Sequence, residues 1–79
     1  MPILRGRVVD RDTGRGIAFL VVALNGKTTS TDPQGEFEIF APPGTYTLRI
    51  RSPFYEPYTR EIELREDTYI EIKLRRTIL

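Results

Sequence analysis

One stretch limits what this chain can fold into more than any other, the run Thr31 to Ile50, TDPQGEFEIFAPPGTYTLRI. It reads as turn, strand, turn, strand. Asp32-Pro33-Gln34-Gly35 fits a type I turn, with an Asp side chain able to bond its own backbone, Pro at the second position with φ preset, and Gly at the fourth. Phe37 and Ile39 then alternate with Glu36 and Glu38, the period-two pattern of a half-buried strand. Pro42-Pro43-Gly44 closes the next turn, where Gly44 is expected to take the positive φ of a type II turn. Tyr46, Leu48 and Ile50 alternate with Thr45, Thr47, Arg49 and Arg51 as a second strand.

The flanks follow the same grammar. Leu4, Gly6 and Val8 alternate with Arg5, Arg7 and Val9 as a first strand, in which Gly6 points to a close approach or a bulge. After a polar loop, Ile17 to Leu24 (IAFLVVAL) is an unbroken apolar run. Periodicity alone does not separate strand from helix here, but its length, its β-branched residues and the Asn25-Gly26 that follows favour a strand leading into a hairpin with Lys27 to Thr31. Ser52 to Pro57 reads as a loop stiffened by two prolines. Tyr58, Arg60, Ile62 and Leu64 form one further alternating set, and Thr68, Ile70, Ile72 and Leu74 another. The expected core is Leu4, Val8, Leu20, Val22, Leu24, Phe37, Ile39, Tyr46, Leu48, Ile50, Ile62, Leu64, Ile70, Ile72 and Leu74. The apolar tail Thr77-Ile78-Leu79 is expected to extend the last strand or to touch a partner.

The central run, with LRGRVVDRDTGRGI (Leu4 to Ile17) before it and YEPYTREIEL (Tyr55 to Leu64) after it, resembles the carboxypeptidase regulatory-like domains. The resemblance implies a small β-sandwich of the transthyretin-like (prealbumin-like) type, used as an accessory or binding module. Three positions depart from the pattern: Gly16 stands where Pro is common, Leu20 where Ala is common, and Phe54 where a Gly usually precedes the aromatic residue. The fold expected is therefore all-β, a seven-stranded antiparallel two-sheet sandwich of Ig-like or transthyretin-like topology, with 1–79 as one domain.

Composition narrows the function. With no Cys among 79 residues, neither a disulfide nor a thiolate site exists, which favours a reducing compartment or a host whose surface proteins avoid disulfides. A net charge of +1 argues against nucleic acid as the partner. High Arg and Glu content points to a heat-adapted source. No apolar run approaches the roughly 20 residues of a membrane span, and Met1-Pro2-Ile3-Leu4-Arg5 lacks the apolar core of a signal peptide. The chain as given is expected to be cytoplasmic, or extracellular if it is cut from a longer secreted protein. No catalytic residue, metal site or cofactor is expected. His is absent, so the usual base for a nucleophile is missing, and a chain this small leaves little room for a cleft. Enzymes that hydrolyse 5-hydroxyisourate share the transthyretin-like fold but rely on histidines. On these grounds the chain is expected not to be an enzyme.

Two candidate sites remain. If the first, second and fifth strands share a sheet, its outer surface carries the apolar stripe Phe19-Val21-Ala23 between Arg5, Arg7 and Arg49, Arg51. An apolar patch rimmed by charge is what a protein partner or a second copy would cover, although the Arg stems could equally shield it. The second is a loop end expected to gather Asp10, Asp12 and Asp32, with Glu36 and Glu56, beside Phe54 and Tyr55. Such oxygens could hold Ca²⁺, and carboxylates beside aromatics could hold a sugar, while the plainer reading is that Asp at turns bonds its own backbone. The leading expectation is a non-catalytic interaction module acting through the Arg-flanked face. The alternative is a Ca²⁺- or carbohydrate-binding domain.

Overall fold

The computed structural model describes residues 1–77. Ile78 and Leu79, the end of the apolar tail, lie outside the described residues. Seven strands follow one another: β1 (Ile3–Asp10), β2 (Val21–Leu24), β3 (Lys27–Ser30), β4 (Glu36–Phe40), β5 (Gly44–Ser52), β6 (Tyr55–Leu64) and β7 (Thr68–Leu74). They form a three-stranded sheet in the order β4-β1-β7 and a four-stranded sheet in the order β3-β2-β5-β6. The expected sandwich forms, with one pair of the opposite sense. β1 runs parallel to β7 over seven register pairs, from Leu4 opposite Thr68 to Asp10 opposite Leu74.

Alternation does the sorting. In β4 the pattern exposed-buried-exposed-buried-exposed places Phe37 and Ile39 inward, and β7 buries Ile70, Ile72 and Leu74. Every residue of the expected core lies in the apolar cluster between the sheets; Tyr46 is only partly buried. Ile3, Val9 and Ala41 join the buried set. Val9 breaks the alternation because the loop after β1 folds back over it, through a bridge between Val9 and Gly16 and a bond from Ile17 N to Val8 O of 2.9 Å. Gly6 is the close approach foreseen. A Cβ there would sit 2.6 Å from Phe37 Cζ and 2.9 Å from Ile70 O.

The Asp32 turn closes as its residues dictate. Gly35 N donates to Asp32 O (2.8 Å), one Asp32 carboxylate oxygen takes the N–H groups of Gln34 and Glu36 (both 2.9 Å), and Gly35 sits at φ 84°. In the Asn25-Gly26 hairpin the left-handed position falls on Asn25, φ 52°.

Three local expectations are corrected. Gly44 does not take a left-handed φ; it opens β5 opposite Leu64. The Ser52–Pro57 segment is largely strand: Pro53-Phe54 is a two-residue tip between Ser52 and Tyr55, and Pro57 lies inside β6. It is tolerated there because β6 is an edge strand. The apolar run Ile17 to Leu24 is strand only from Val21, since Phe19 takes φ 59° and turns the chain before it.

One side of the sandwich is sewn shut. Beyond β7 the chain leaves the three-stranded sheet and bonds the start of β6, with Glu56 N to Arg75 O and Thr77 N to Phe54 O, both 2.9 Å.

Candidate interaction surface

Phe19, Val21 and Ala23 were expected to stand between four arginines, and the sheet order divides that set. Val22 and Leu24 face the core, so Val21 and Ala23 point outward from the four-stranded sheet. Ala23 lies opposite Arg49 on one side and Thr28 on the other, and Val21 lies opposite Ser30. Arg49 and Arg51 alternate with buried Leu48 and Ile50 and therefore share this face. Arg5 and Arg7 do not. β1 pairs with β4 and β7, so both project from the other sheet. There Arg5 Nε meets a Glu38 carboxylate oxygen at 3.2 Å and Arg7 Nε donates to Gln34 O at 3.1 Å. The expectation that the first, second and fifth strands share a sheet is corrected accordingly.

What remains is a short apolar segment on an otherwise polar face, open to solvent. Phe19 is 75% exposed and Val21 54%. A bulky residue in the left-handed region is unusual and needs support from its surroundings. The support is Thr31, buried at 2% exposure. Its hydroxyl donates to Ile17 O (2.6 Å) and accepts from Leu20 N (2.9 Å), while its backbone accepts from Phe19 N (3.0 Å) and donates to Leu20 O (2.9 Å). These four bonds clamp both sides of Phe19, bury Leu20 and leave the Phe19 ring outside. In the sequence Thr31 marks only the end of the Lys27 to Thr31 strand and the start of the central run.

The loops after β1, β3 and β5 do meet at one end, with Gly16 against the Gln34 carbonyl and Tyr55 bonded to Asp10, but Asp10 and Asp32 are already committed there. Asp10 is buried, and its carboxylate is fully occupied: one oxygen takes the N–H groups of Asp12 (2.8 Å) and Thr13 (3.2 Å), and the other accepts the Tyr55 hydroxyl (3.0 Å). The Asp12 N–H is the main reason its carboxyl lies below the usual carboxylate range. Partial burial opposes this, while Tyr55, Thr13 and the Arg76 charge assist. Burial, then the bond to Asp10, raises the Tyr55 phenol above its usual 10.0. Asp12 is exposed with Arg11 Nε 3.6 Å away. Asp32, spent on its own turn, and Glu36 stand with β3 and β4, and Phe54 is exposed at its hairpin tip. Among the described residues no group of three or more Asp, Glu, His or Cys could hold a metal ion. Nor is any helix long and apolar enough to cross a membrane. Turn chemistry thus accounts for Asp10 and Asp32.

The model of the carboxypeptidase regulatory-like domain matches residues 3–75. The chain belongs to this family. A search of curated protein sequences finds no match. Among solved structures, this carboxypeptidase regulatory-like domain is similar to 5-hydroxyisourate hydrolase from Klebsiella pneumoniae (TM-score 0.73, 18% identity, 99% of this chain and 93% of that one). It is also similar to a DUF3823 family protein from Bacteroides ovatus (0.76, 19%, 94% and 44%). A third similarity is to a chain of the type II cohesin–X-dockerin complex of Acetivibrio cellulolyticus (0.68, 24%, 96% and 57%). The domain thus spans nearly all of the hydrolase, but less than two thirds of the other two chains. The transthyretin-like sandwich is shared by all three.

The hydrolase corrects one expectation. Catalysis was excluded partly because so small a sandwich leaves little room for a cleft, yet a hydrolase is built on this fold at nearly this length. The expectation that the chain is not an enzyme is withdrawn.

Proposed function

We infer that this carboxypeptidase regulatory-like domain is a protein-interaction module whose docking surface is the outer face of the four-stranded sheet, with Phe19, Val21 and Ala23 at its centre and Arg49 and Arg51 along one flank. The observation that carries the reading is the display of Phe19. The chain accepts a left-handed aromatic residue, held by a buried threonine, whose ring stays in water two positions before exposed Val21. Single exposed apolar side chains are ordinary, but a contiguous group with a cationic flank is what a partner covers. Phe40 and Tyr69 are also exposed, on the other sheet, where the Arg5–Glu38 pair lies between their strands. The membership of a similar chain in the cohesin–X-dockerin complex supports the same kind of role.

The test is Val21→Glu, read by light scattering across protein concentration and salt. Because Val21 is over half exposed, the variant is expected to melt like the parent and to lose any self-association the parent shows, or its binding to a partner once one is in hand. Unfolding of the variant would place Val21 in the core and overturn the reading, as would association that persists unchanged.

A further inference from the structure

We propose that the depression beside Tyr55, lined by Arg15 and Arg76, is a binding site for a carboxylate. It is lined by Asp10, Arg15, Ile17, Ala18, Tyr55 and Arg76 among others. The sequence pointed to this end of the molecule for a cation, on account of its aspartates. The structure reverses the sign. Asp10, the acid in the lining, has both oxygens committed to Asp12, Thr13 and Tyr55. Against it stand two arginines outside the close ion pairs found among the described residues, which are Arg5–Glu38, Arg11–Asp12 and Arg65–Glu63; the Arg76 charge also reaches Asp10, so Arg15 is the less committed of the two.

Both arginines sit on pinned backbone. Arg15 O accepts from Asp10 N at 2.8 Å and Arg15 N donates to the Thr13 hydroxyl at 3.2 Å. Arg76 is held by its bridge to Tyr55, with its neighbours Arg75 and Thr77 bonded to Glu56 and Phe54. Its guanidinium lies 6.0 Å from the Tyr55 ring centroid, the range of a cation–π contact, which limits where it points. Planar guanidinium groups suit the fork of a carboxylate. Ile17, Ala18 and the Tyr55 ring give the ligand an apolar floor, so a carboxylate carried on a small apolar body fits better than a bare inorganic anion. The source is either a free organic acid or the terminal or side-chain carboxylate of a protein.

The experiment follows backbone amide shifts of the whole chain by NMR as sodium acetate is added, with sodium chloride at matched ionic strength as reference. N-acetylglycine and its uncharged amide are then titrated separately. Saturable shifts at Arg15–Ala18, Tyr55 and Arg76 in the millimolar range are expected with both acids and not with the amide. Arg15→Gln and Arg76→Gln should each weaken binding about fivefold. Both residues are exposed, and the same spectra report whether each variant is folded. Tighter binding of N-acetylglycine than of acetate assigns the site to a chain terminus, equal binding to a free acid, and either upholds it. Shifts no larger than those from chloride, binding of the amide as strong as of the acid, or full affinity in the double variant would overturn it.

Discussion

Replacing Thr31 by Val tests the link between the core and the displayed Phe19. The two side chains are nearly the same shape, so packing is kept and the change isolates the hydroxyl. Two backbone groups lose their partner: Leu20 N–H, which is buried, and Ile17 C=O, which is partly so. Leaving a buried polar group unsatisfied costs about 1–3 kcal/mol, and the extra buried methyl returns about 0.8 kcal/mol. With partly buried Ile17 C=O at the low end, the two groups together cost about 2–4 kcal/mol, and a net loss of about 1–3 kcal/mol follows. For 79 residues the whole stability is of the order of 4–12 kcal/mol, so the loss is a large share of it. It corresponds to a fall in melting temperature of roughly 5–20 °C. Thr31→Ser keeps the hydroxyl, gives up one methyl, and should cost about 1 kcal/mol. Urea denaturation of the three proteins supplies the free energies, and amide exchange at Leu20 reports the local effect. In Thr31→Val, exchange there should accelerate beyond what the global loss explains, because the clamp opens without unfolding the sheet. If Val is tolerated within about 0.5 kcal/mol, or if Ser is worse than Val, the hydroxyl is not what holds the Ile17–Leu20 segment and the account of Phe19 fails.

Other perturbations follow from the same geometry. A Cβ on Gly16 would lie 1.9 Å from Gln34 O and 2.4 Å from its carbonyl carbon, both backbone atoms that no rotamer change can move; Gly16→Ala should cost about 3 kcal/mol, and an unchanged thermal melt would contradict the close approach. Asp10 is depressed in the folded state, so its contribution is full above the unfolded carboxylate range and is lost as pH falls through its folded value. Tyr55 is raised, so its contribution is full below about 10 and is lost as pH climbs through its folded value. Tyr55→Phe should therefore remove the alkaline loss and move the acid loss to higher pH, and acid and alkaline melts that match the parent would contradict the Asp10–Tyr55 bond. Arg5→Ala breaks an ion pair whose side chains are more than half exposed, and should shift urea denaturation by less than about 1 kcal/mol; a larger shift would mean that Arg5 packs as well as pairs.

Much of the sandwich was legible because its information is local. The Asp32 turn, the Asn25-Gly26 hairpin and the alternation in β4, β5 and β7 each depend on a few neighbouring residues, and each formed. What escaped depends on residues far apart. Nothing in Leu4 to Val9 says whether β1 joins β2 or lies between β4 and β7, yet that choice moves Arg5 and Arg7 to the opposite surface. The turn bonds of Asp10 were legible, but its bond to Tyr55 was not, because that partner is 45 positions away. The run Ile17 to Leu24 was misjudged for a different reason. Its hydrophobicity is uniform, so no pattern marks the point at which Phe19 turns outward, and the signal lay in Thr31, which resembles any other strand threonine.

The parallel pairing of β1 and β7 has a mechanical consequence. The chain enters at the Leu4–Thr68 end of this ladder and leaves β7 at the Asp10–Leu74 end. A pull applied before β1 and after β7 therefore acts along the strands and in opposite directions on the two. The ladder is loaded in shear, with its seven register pairs sharing the tension together. An antiparallel pair entered and left at one end would instead peel open a bond at a time. Such a domain, placed in line between other modules, would transmit force as a stiff link up to a high threshold and then yield abruptly.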